Sequence, residues 1–585
     1  MTCYRFRTIG LIATIGTAGF FFLLISAGAG ADDSSDGSSA LPARSSAFKP
    51  VAMPVSLDLG SYAELKDRQH ATLTDFVLDD GTPIELQLEQ FDIFAPDATI
   101  VVGRRTGDAP LDRPPVALFR GYVPGEPDSH VFLSLSPFGV NGTIDMHDGV
   151  HDVSSGPFGD GFATVIYNLT TLPVGGIAWR SFVCASDELD PLIRGGGKRA
   201  APGGGNGGSR ARSGPCRIAE VAIETDWEFT GDLFDGDTAA SSAYAAALLG
   251  AISEIYTRDV NTRLEISYLR VWSDSDDPWD QEDTLTQLYQ FQDYWNAYMT
   301  DVPRNAAHFL SGRGLGGGVA YYPGLCYPEY DYGLSANLNG FFPYPIEHNH
   351  DQNWDLFVVG HELGHNFGAP HTHDQEPPVD GCAWGDCSVA PNATIMSYCH
   401  GCPGGLSNVR MEFHDQTINQ YILPHLADPD TVALCDLVVD EVTIIDAPDD
   451  AVACEGGSVT FTVVASGFGP LDCQWRRDGE DIPGADQESY TISSVTFDDA
   501  GIYDVVVSNT CGSVTSAPAT LTVCPSISGD LDHDCDVDLE DLATLLAHYG
   551  TPSGATYEDG DIDGDGDVDL SDLAALLGNY GTAGC

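Results

Sequence analysis

The stretch His361-Glu362-Leu363-Gly364-His365-Asn366-Phe367-Gly368-Ala369-Pro370-His371 sets three imidazoles and one carboxylate at fixed spacing. The run from Trp354 to Phe367 has the apolar content of a buried helix. His361 and His365 lie four apart, so a helix projects both rings from one face. That geometry suits two corners of a tetrahedral Zn²⁺ site. Gly368 lacks a Cβ and can take a left-handed turn that ends the helix and swings His371 back as a third ligand. Three protein ligands leave the fourth position open for water, as in catalytic rather than structural zinc sites. Glu362, beside the first ligand, is placed as a general base. Histidines satisfied in a core are the bland alternative, disfavoured once Gly368 and His371 join the motif.

Twenty-five residues beyond His371 comes Thr394-Ile-Met396-Ser-Tyr398. With the histidine motif, this resembles the metzincin clan of zinc metalloendopeptidases, in which a methionine turn lies beneath the ligands. Asn366-Phe367 and the upstream Gly317-Gly-Val-Ala-Tyr-Tyr-Pro-Gly-Leu-Cys326 resemble the adamalysin (reprolysin-like) family within it. The resemblance implies an α/β catalytic domain over 216–435. It implies one catalytic zinc on His361, His365 and His371, and a zinc-bound water activated by Glu362 to hydrolyse peptide bonds. It further implies shaping roles for Gly368 and Met396. Strands are predicted over Ile218–Ile223 and Leu264–Trp272, and a helix over Ala239–Tyr256. Thr372 stands where adamalysins usually carry Asp. Tyr398 has two readings, a packed structural residue or a hydrogen-bond donor to the tetrahedral oxyanion. The substrate is expected to extend along an edge strand around Gly333–Asn339.

Upstream, Arg5 and Arg7 precede an apolar run from Ile9 to Ala27 and a small-residue site, Ala29-Gly30-Ala31. This predicts a signal peptide over 1–31, and no stable membrane span is expected elsewhere. Residues 32–193 read as a mostly β domain. Its stretch Leu118-Phe-Arg-Gly-Tyr-Val-Pro-Gly-Glu-Pro-Asp-Ser-His130 resembles the adamalysin propeptide. A Gly-rich linker over 194–215 concentrates Arg194, Lys198, Arg199, Arg210 and Arg212, either as a processing region or as a spacer. Cys184, just before it, also has two readings. A thiolate can occupy the open zinc position. Yet residues 216–435 hold seven cysteines, an odd number, so Cys184 can instead pair with one of them. Cys382, Cys387, Cys399 and Cys402 flank the methionine turn and read as two disulfides rather than a second zinc site.

Downstream, 440–524 resembles a β-sandwich immunoglobulin-like domain. Trp475 takes the core tryptophan position, Asp499-Ala-Gly-Ile-Tyr503 the tyrosine corner, and Val463 and Val505 replace the usual intersheet cysteines. Residues 527–585 repeat an acidic pattern at an offset of 31, each copy followed by Leu-Ala-x-Leu-Leu. Oxygen ligands fall at loop positions 1, 3, 5, 7 and 12: Asp530, Asp532, Asp534, Asp536 and Asp541, then Asp561, Asp563, Asp565, Asp567 and Asp572. This resembles a type I dockerin, a small α-helical module with two calcium loops, and implies two Ca²⁺ ions and a cohesin-type partner. Cys535 replaces the turn glycine of the first loop and is expected to pair with Cys585.

The chain's 585 residues carry 25 basic and 87 acidic side chains, a net charge of −62 with three lysines. Such a surface repels nucleic acid and anionic membrane. The expected partner is therefore a protein or peptide substrate, and the expected location is secreted or at the cell surface. A non-catalytic secreted adhesion protein on a metzincin scaffold is the competing class.

Overall fold

The computed structural model describes residues 52–189, 216–344 and 355–584, less short interruptions at 56, 58, 127–128, 148, 172–176, 178–182, 187–188, 391–392, 436, 438–440, 468–470 and 510–511. The predicted signal peptide, the linker over 194–215 and Trp354 lie outside these residues. Two compact units emerge, one spanning the chain to Val438 and one from Val439 to Cys585, with the short segment Arg212–Arg217 grouped with the second. No helix among the described residues is long and apolar enough to cross a membrane.

The first unit is built on two eight-stranded sheets. One is an antiparallel meander from Met53 to Asn168, in which consecutive strands such as His130–Ser136, Gly139–Met146 and Gly149–Ser154 pair with their neighbours. Alternating apolar residues, Leu86, Leu88, Leu133, Leu135 and Ile144 among them, fill one core behind it. The second sheet runs Val183–Cys184, Gly317–Ala320, Tyr332–Ser335, Ala306–Leu310, Arg217–Thr225, Thr262–Trp272, Phe94–Gly103 and Ala109–Pro110. Its middle comes from 217–335, but both edges come from residues before the linker. The predicted strands at 218–223 and 264–272 are present as Arg217–Thr225 and Thr262–Trp272.

The predicted helix extends over Thr238–Val260. Asp237 caps its start by accepting from Ala239 and Ala240 amides, and Asn261 ends it in a left-handed conformation. Small and apolar residues dominate it, and Ser241, Ser242 and Ser253 are buried with them, the signature of a helix enclosed on all sides. It is enclosed by the second sheet, the helix Asp355–Asn366 and the first sheet; a Cβ on Gly250 would lie 2.9 Å from Leu118 and 3.2 Å from Phe132.

The strand Tyr332–Ser335 is interior, paired on both sides. The expectation of a substrate edge at Gly333–Asn339 is therefore corrected. The strand next to the histidine helix and nearest the sheet's end is Gly317–Ala320, which runs antiparallel to its neighbour.

In the second unit, Trp475, Val463, Tyr503 and Val505 lie buried in one sandwich core. Tyr503 donates to the Asp499 carbonyl at 2.8 Å, closing the predicted corner. Cys535 bonds to Cys454, which corrects the expected pairing with Cys585. Parallel register sets Cys454 opposite Cys524 at the strand ends, and Cys535 packs against both.

Candidate metal centre

The helix Asp355–Asn366 is held at each end. Asp355 accepts from the Asn339 and Gly340 amides and from the Tyr244 hydroxyl. Asn366 donates to the Tyr321 and Tyr332 carbonyls, tying the last turn to the sheet. Gly368 follows at φ +89°. The turn it makes brings the His365 and His371 Nε2 atoms to 3.1 Å.

Backbone carbonyls orient two of the rings. His361 Nδ1 lies 2.7 Å from the Ile395 carbonyl and His365 Nδ1 lies 2.8 Å from that of Ala369. A carbonyl only accepts, so each Nδ1 carries the proton and Nε2 keeps its lone pair for a ligand role. Asp374 lies 3.7 Å from His371 Nδ1. His373 stacks on the back of His371, with centroids 5.2 Å apart, outside the convergence of Nε2 atoms.

Met396 lies under the helix at its closest point, where a Cβ on Gly364 would be 2.6 Å from the Met396 sulfur. Its carbonyl accepts from both the amide and the hydroxyl of Thr372. Thr372, the departure noted in the sequence, thus fastens the third-ligand loop to the methionine turn. Disulfides Cys382–Cys399 and Cys387–Cys402 pin the loops around it, and Cys326–Cys435 closes the domain.

Cys184 is a buried free thiol inside this constellation and forms no disulfide. Its Sγ lies 3.4 Å from His365 Nε2, 3.6 Å from Glu362 Oε2 and 3.1 Å from Ser186 Oγ. Ligand atoms of Cys184, His361, His365 and His371 all fall within 4.8 Å of one another. Three imidazole nitrogens and a sulfur at such spacing fit a tetrahedral Zn²⁺. Burial pushes the Cys184 thiol up, but His365 and the other two imidazoles close beside it outweigh burial and hold the group well below its usual range.

Val183 and Cys184 pair in parallel with Gly317 and Gly318. The glycines permit this approach. A Cβ on Gly317 would lie 2.1 Å from the Val183 carbonyl, and one on Gly318 would lie 2.3 Å from Glu362 Oε1. Glu362 is fully buried beneath the strand, and burial with the adjacent Cys184 drives its carboxyl well above the carboxylate range. Tyr398 reaches the same point, its hydroxyl 3.2 Å from the Cys184 carbonyl and its ring 4.6 Å from that of His371. Sequence reasoning missed Ser186, which accepts from the Ala320 amide and lies 3.5 Å from Glu362 Oε2. A lone serine carries no spacing signal.

The ten predicted loop aspartates lie on two loops of matching hydrogen-bond pattern in the second unit. Asp541 accepts from the Leu531 and Asp538 amides, and Asp572 from those of Ile562, Asp563 and Asp569. At the sixth loop position Cys535 (φ +79°) and Gly566 (φ +91°) each donate to the first aspartate, Asp530 or Asp561. Asp530 Oδ1, Asp536 Oδ1 and Asp567 Oδ1 are buried oxygens without a hydrogen-bond partner. Convergent hard oxygens left unsatisfied fit Ca²⁺.

Comparison with known proteins matches part of each unit. Residues 216–410 match the profile of metallo-peptidase family M12, and 442–523 that of the immunoglobulin I-set domain. Snake venom metalloproteinase TM-1 of Protobothrops mucrosquamatus is 26% identical over 188 residues, 31% of this chain and 83% of its own length. Disintegrin and metalloproteinase domain-containing protein 1 of Rattus norvegicus is 23% identical over 273 residues, 43% of this chain. The chain spans 30% of that relative's length. Among solved structures, tandem Ig repeats of Dlar (20% identity, TM-score 0.14) cover 15% of this chain and 50% of their own. Titin domains z1z2 in complex with telethonin (30% identity, TM-score 0.14) cover 14% and 48%.

Proposed function

We propose that this chain is a secreted zinc metalloendopeptidase made as a latent precursor, with Cys184 as its inhibitory ligand and a calcium-binding dockerin-like tail. The observation that carries the reading is the convergence of Cys184 Sγ with His361, His365 and His371 above the Glu362 carboxyl. His361, His365 and His371 would hold the zinc, which when bound polarises the scissile carbonyl and acidifies water.

The chain's own groups supply the rest. Once the Cys184 segment leaves, Gly317–Ala320 offers main-chain donors and acceptors to an extended peptide. Glu362 takes the proton of the attacking water on a carboxylate oxygen and returns it to the departing amine. The Tyr398 hydroxyl, which now meets the Cys184 carbonyl, is positioned to donate to the carbonyl oxygen of a substrate as charge builds there. Gly368 and Met396 shape the floor. Domain limits follow the sequence: pre-region 1–31, pro-domain 32–193, processing linker 194–215, catalytic domain 216–435, immunoglobulin-like domain 440–524 and dockerin 527–585. The tail would take two Ca²⁺ ions and a cohesin-type partner.

The test is peptide hydrolysis by the full chain cleaved in the linker. The cleaved wild type should turn over peptides, and Glu362→Ala should lower the rate by roughly 10²–10⁴-fold. Cys184→Ala should be active before cleavage. Turnover unchanged by Glu362→Ala would leave the competing reading, a non-catalytic adhesion protein on this scaffold.

A further inference from the structure

Both faces of the Thr238–Val260 helix are covered, one by the catalytic sheet and one by the N-terminal meander. On its outward stripe Gly250 meets Leu118 and Phe132 of the meander, and Ala240, Ala243 and Ala247 line one cavity with Phe138. Ala240, Ala247, Leu118 and Phe132 belong to one hydrophobic core, with Phe138 packed against it, that continues to the histidine helix. Facing water on that side, the N-terminal half of the helix would expose this Ala/Gly stripe, together with Leu118 and Phe132 of the meander.

The same N-terminal part also completes the catalytic sheet on the side away from Cys184. Strand Phe94–Gly103 runs parallel to Thr262–Trp272, with Tyr268 to Trp272 in unbroken register against Thr99 to Gly103. The Ile266 amide donates to the Ile93 carbonyl at 2.7 Å. Gly103 has no Cβ because the Trp272 ring lies 2.7 Å from where one would sit. Arg270, nearly buried, pairs with Asp108 at 2.6 Å. Around Phe342 and Pro343, carbonyls accept from the hydroxyls of Ser154 and Tyr167. Against this, the inhibitory contact is a two-residue strand, Val183–Cys184.

We infer that residues 52–168 are a permanent structural subunit of the working enzyme, retained without a covalent bond after the linker is cut, and that only the strap carrying Cys184 leaves the cleft. This rests on the reading of residues 32–193 as a pro-region. An unpaired Thr262–Trp272 edge and an uncovered apolar stripe make complete departure the costlier state. Retention is non-covalent because Cys184 is a free thiol and the other cysteine before the linker, Cys3, falls in the proposed signal peptide.

Limited trypsin cleavage of the linker, in full-length Glu362→Ala to prevent self-digestion, tests this. The products would be run on native size exclusion and the peak resolved on a denaturing gel. The N-terminal fragment should co-elute with the remainder at one to one. Maleimide labelling at Cys184, read by peptide mapping, should rise at least tenfold on cleavage in the presence of a zinc chelator. Separate elution of the N-terminal fragment overturns the proposal, and so does co-elution with Cys184 still unlabelled. Neither readout requires hydrolysis, so an inactive wild type would remove the enzymatic reading and leave this one standing.

Discussion

Asp152 shows how one side chain can couple the N-terminal meander to the catalytic part. It is fully buried, its Oδ2 is 3.3 Å from the Tyr167 hydroxyl, and that hydroxyl is 2.6 Å from the Pro343 carbonyl. Burial raises its carboxyl to about 8, against a lowering by the Tyr167 hydrogen bond. Kept neutral, the carboxyl can donate to the Tyr167 oxygen while the hydroxyl proton goes to Pro343. The unfolded-state value of an aspartate is about 3.9. The folded value is therefore the higher, and the stability it contributes is full below about pH 4 and lost as pH rises through about 8. Asp152→Asn keeps a neutral donor. Thermal midpoints recorded from pH 4 to 9 should fall less steeply for this variant than for the wild type; parallel curves would rule the account out. Nothing in the sequence marks Asp152, because Tyr167 and the Pro343 carbonyl that Tyr167 meets are distant along the chain.

At the scale of elements, the end of the histidine helix carries the site. Gly368 N–H returns to the His365 carbonyl, the Ala369 amide returns to Gly364, and the Ala369 carbonyl fixes His365. A left-handed non-glycine residue costs about 1–2 kcal/mol. A Cβ at Gly368 would also stand 3.0 Å from the His425 side chain. Gly368→Ala should therefore lose about 1–2 kcal/mol of stability in denaturant melts. It should also release zinc to a chromophoric chelator faster than the wild type, since the turn positions both His365 and His371. Unchanged zinc release would show that the ligand loop is held from elsewhere. This element was legible in advance because its ligands, its turn and its glycine lie within eleven residues. The substrate edge was not. Gly317–Ala320 and Tyr332–Ser335 are both short and apolar, and only pairing in the sheet decides which lies next to the edge strand Val183–Cys184.

Across the whole molecule, two metal chemistries fall in two units. Zinc would sit among soft and borderline donors in the first, and calcium among carboxylates in the second. Removing calcium with EGTA should lower the calorimetric transition of the second unit while leaving that of the first in place. Asp541→Ala and Asp572→Ala should each reduce the titrated calcium stoichiometry from two to one. Loss of both ions from either single variant would mean the loops fold as one site. The Cys454–Cys535 bond ties the first calcium loop to the sandwich, so reduction should lower the calcium affinity of that loop more than that of the Gly566 loop, read by titration of the Asp572→Ala and Asp541→Ala forms respectively.

The sequence by itself determined the groups whose geometry is local: three histidines and Glu362 around one helix end, Met396 in its turn, and ten aspartates at alternating loop positions. Spacing suffices there because a helix or a tight loop converts residue number directly into direction. Only the tertiary structure decided that Cys184 faces the zinc ligands rather than a disulfide partner, that Cys535 bonds to Cys454, and that Phe94–Gly103 closes the catalytic sheet. Those choices depend on which edges, thiols and apolar faces remain unsatisfied once the chain has folded, and burial settles them between residues far apart in sequence.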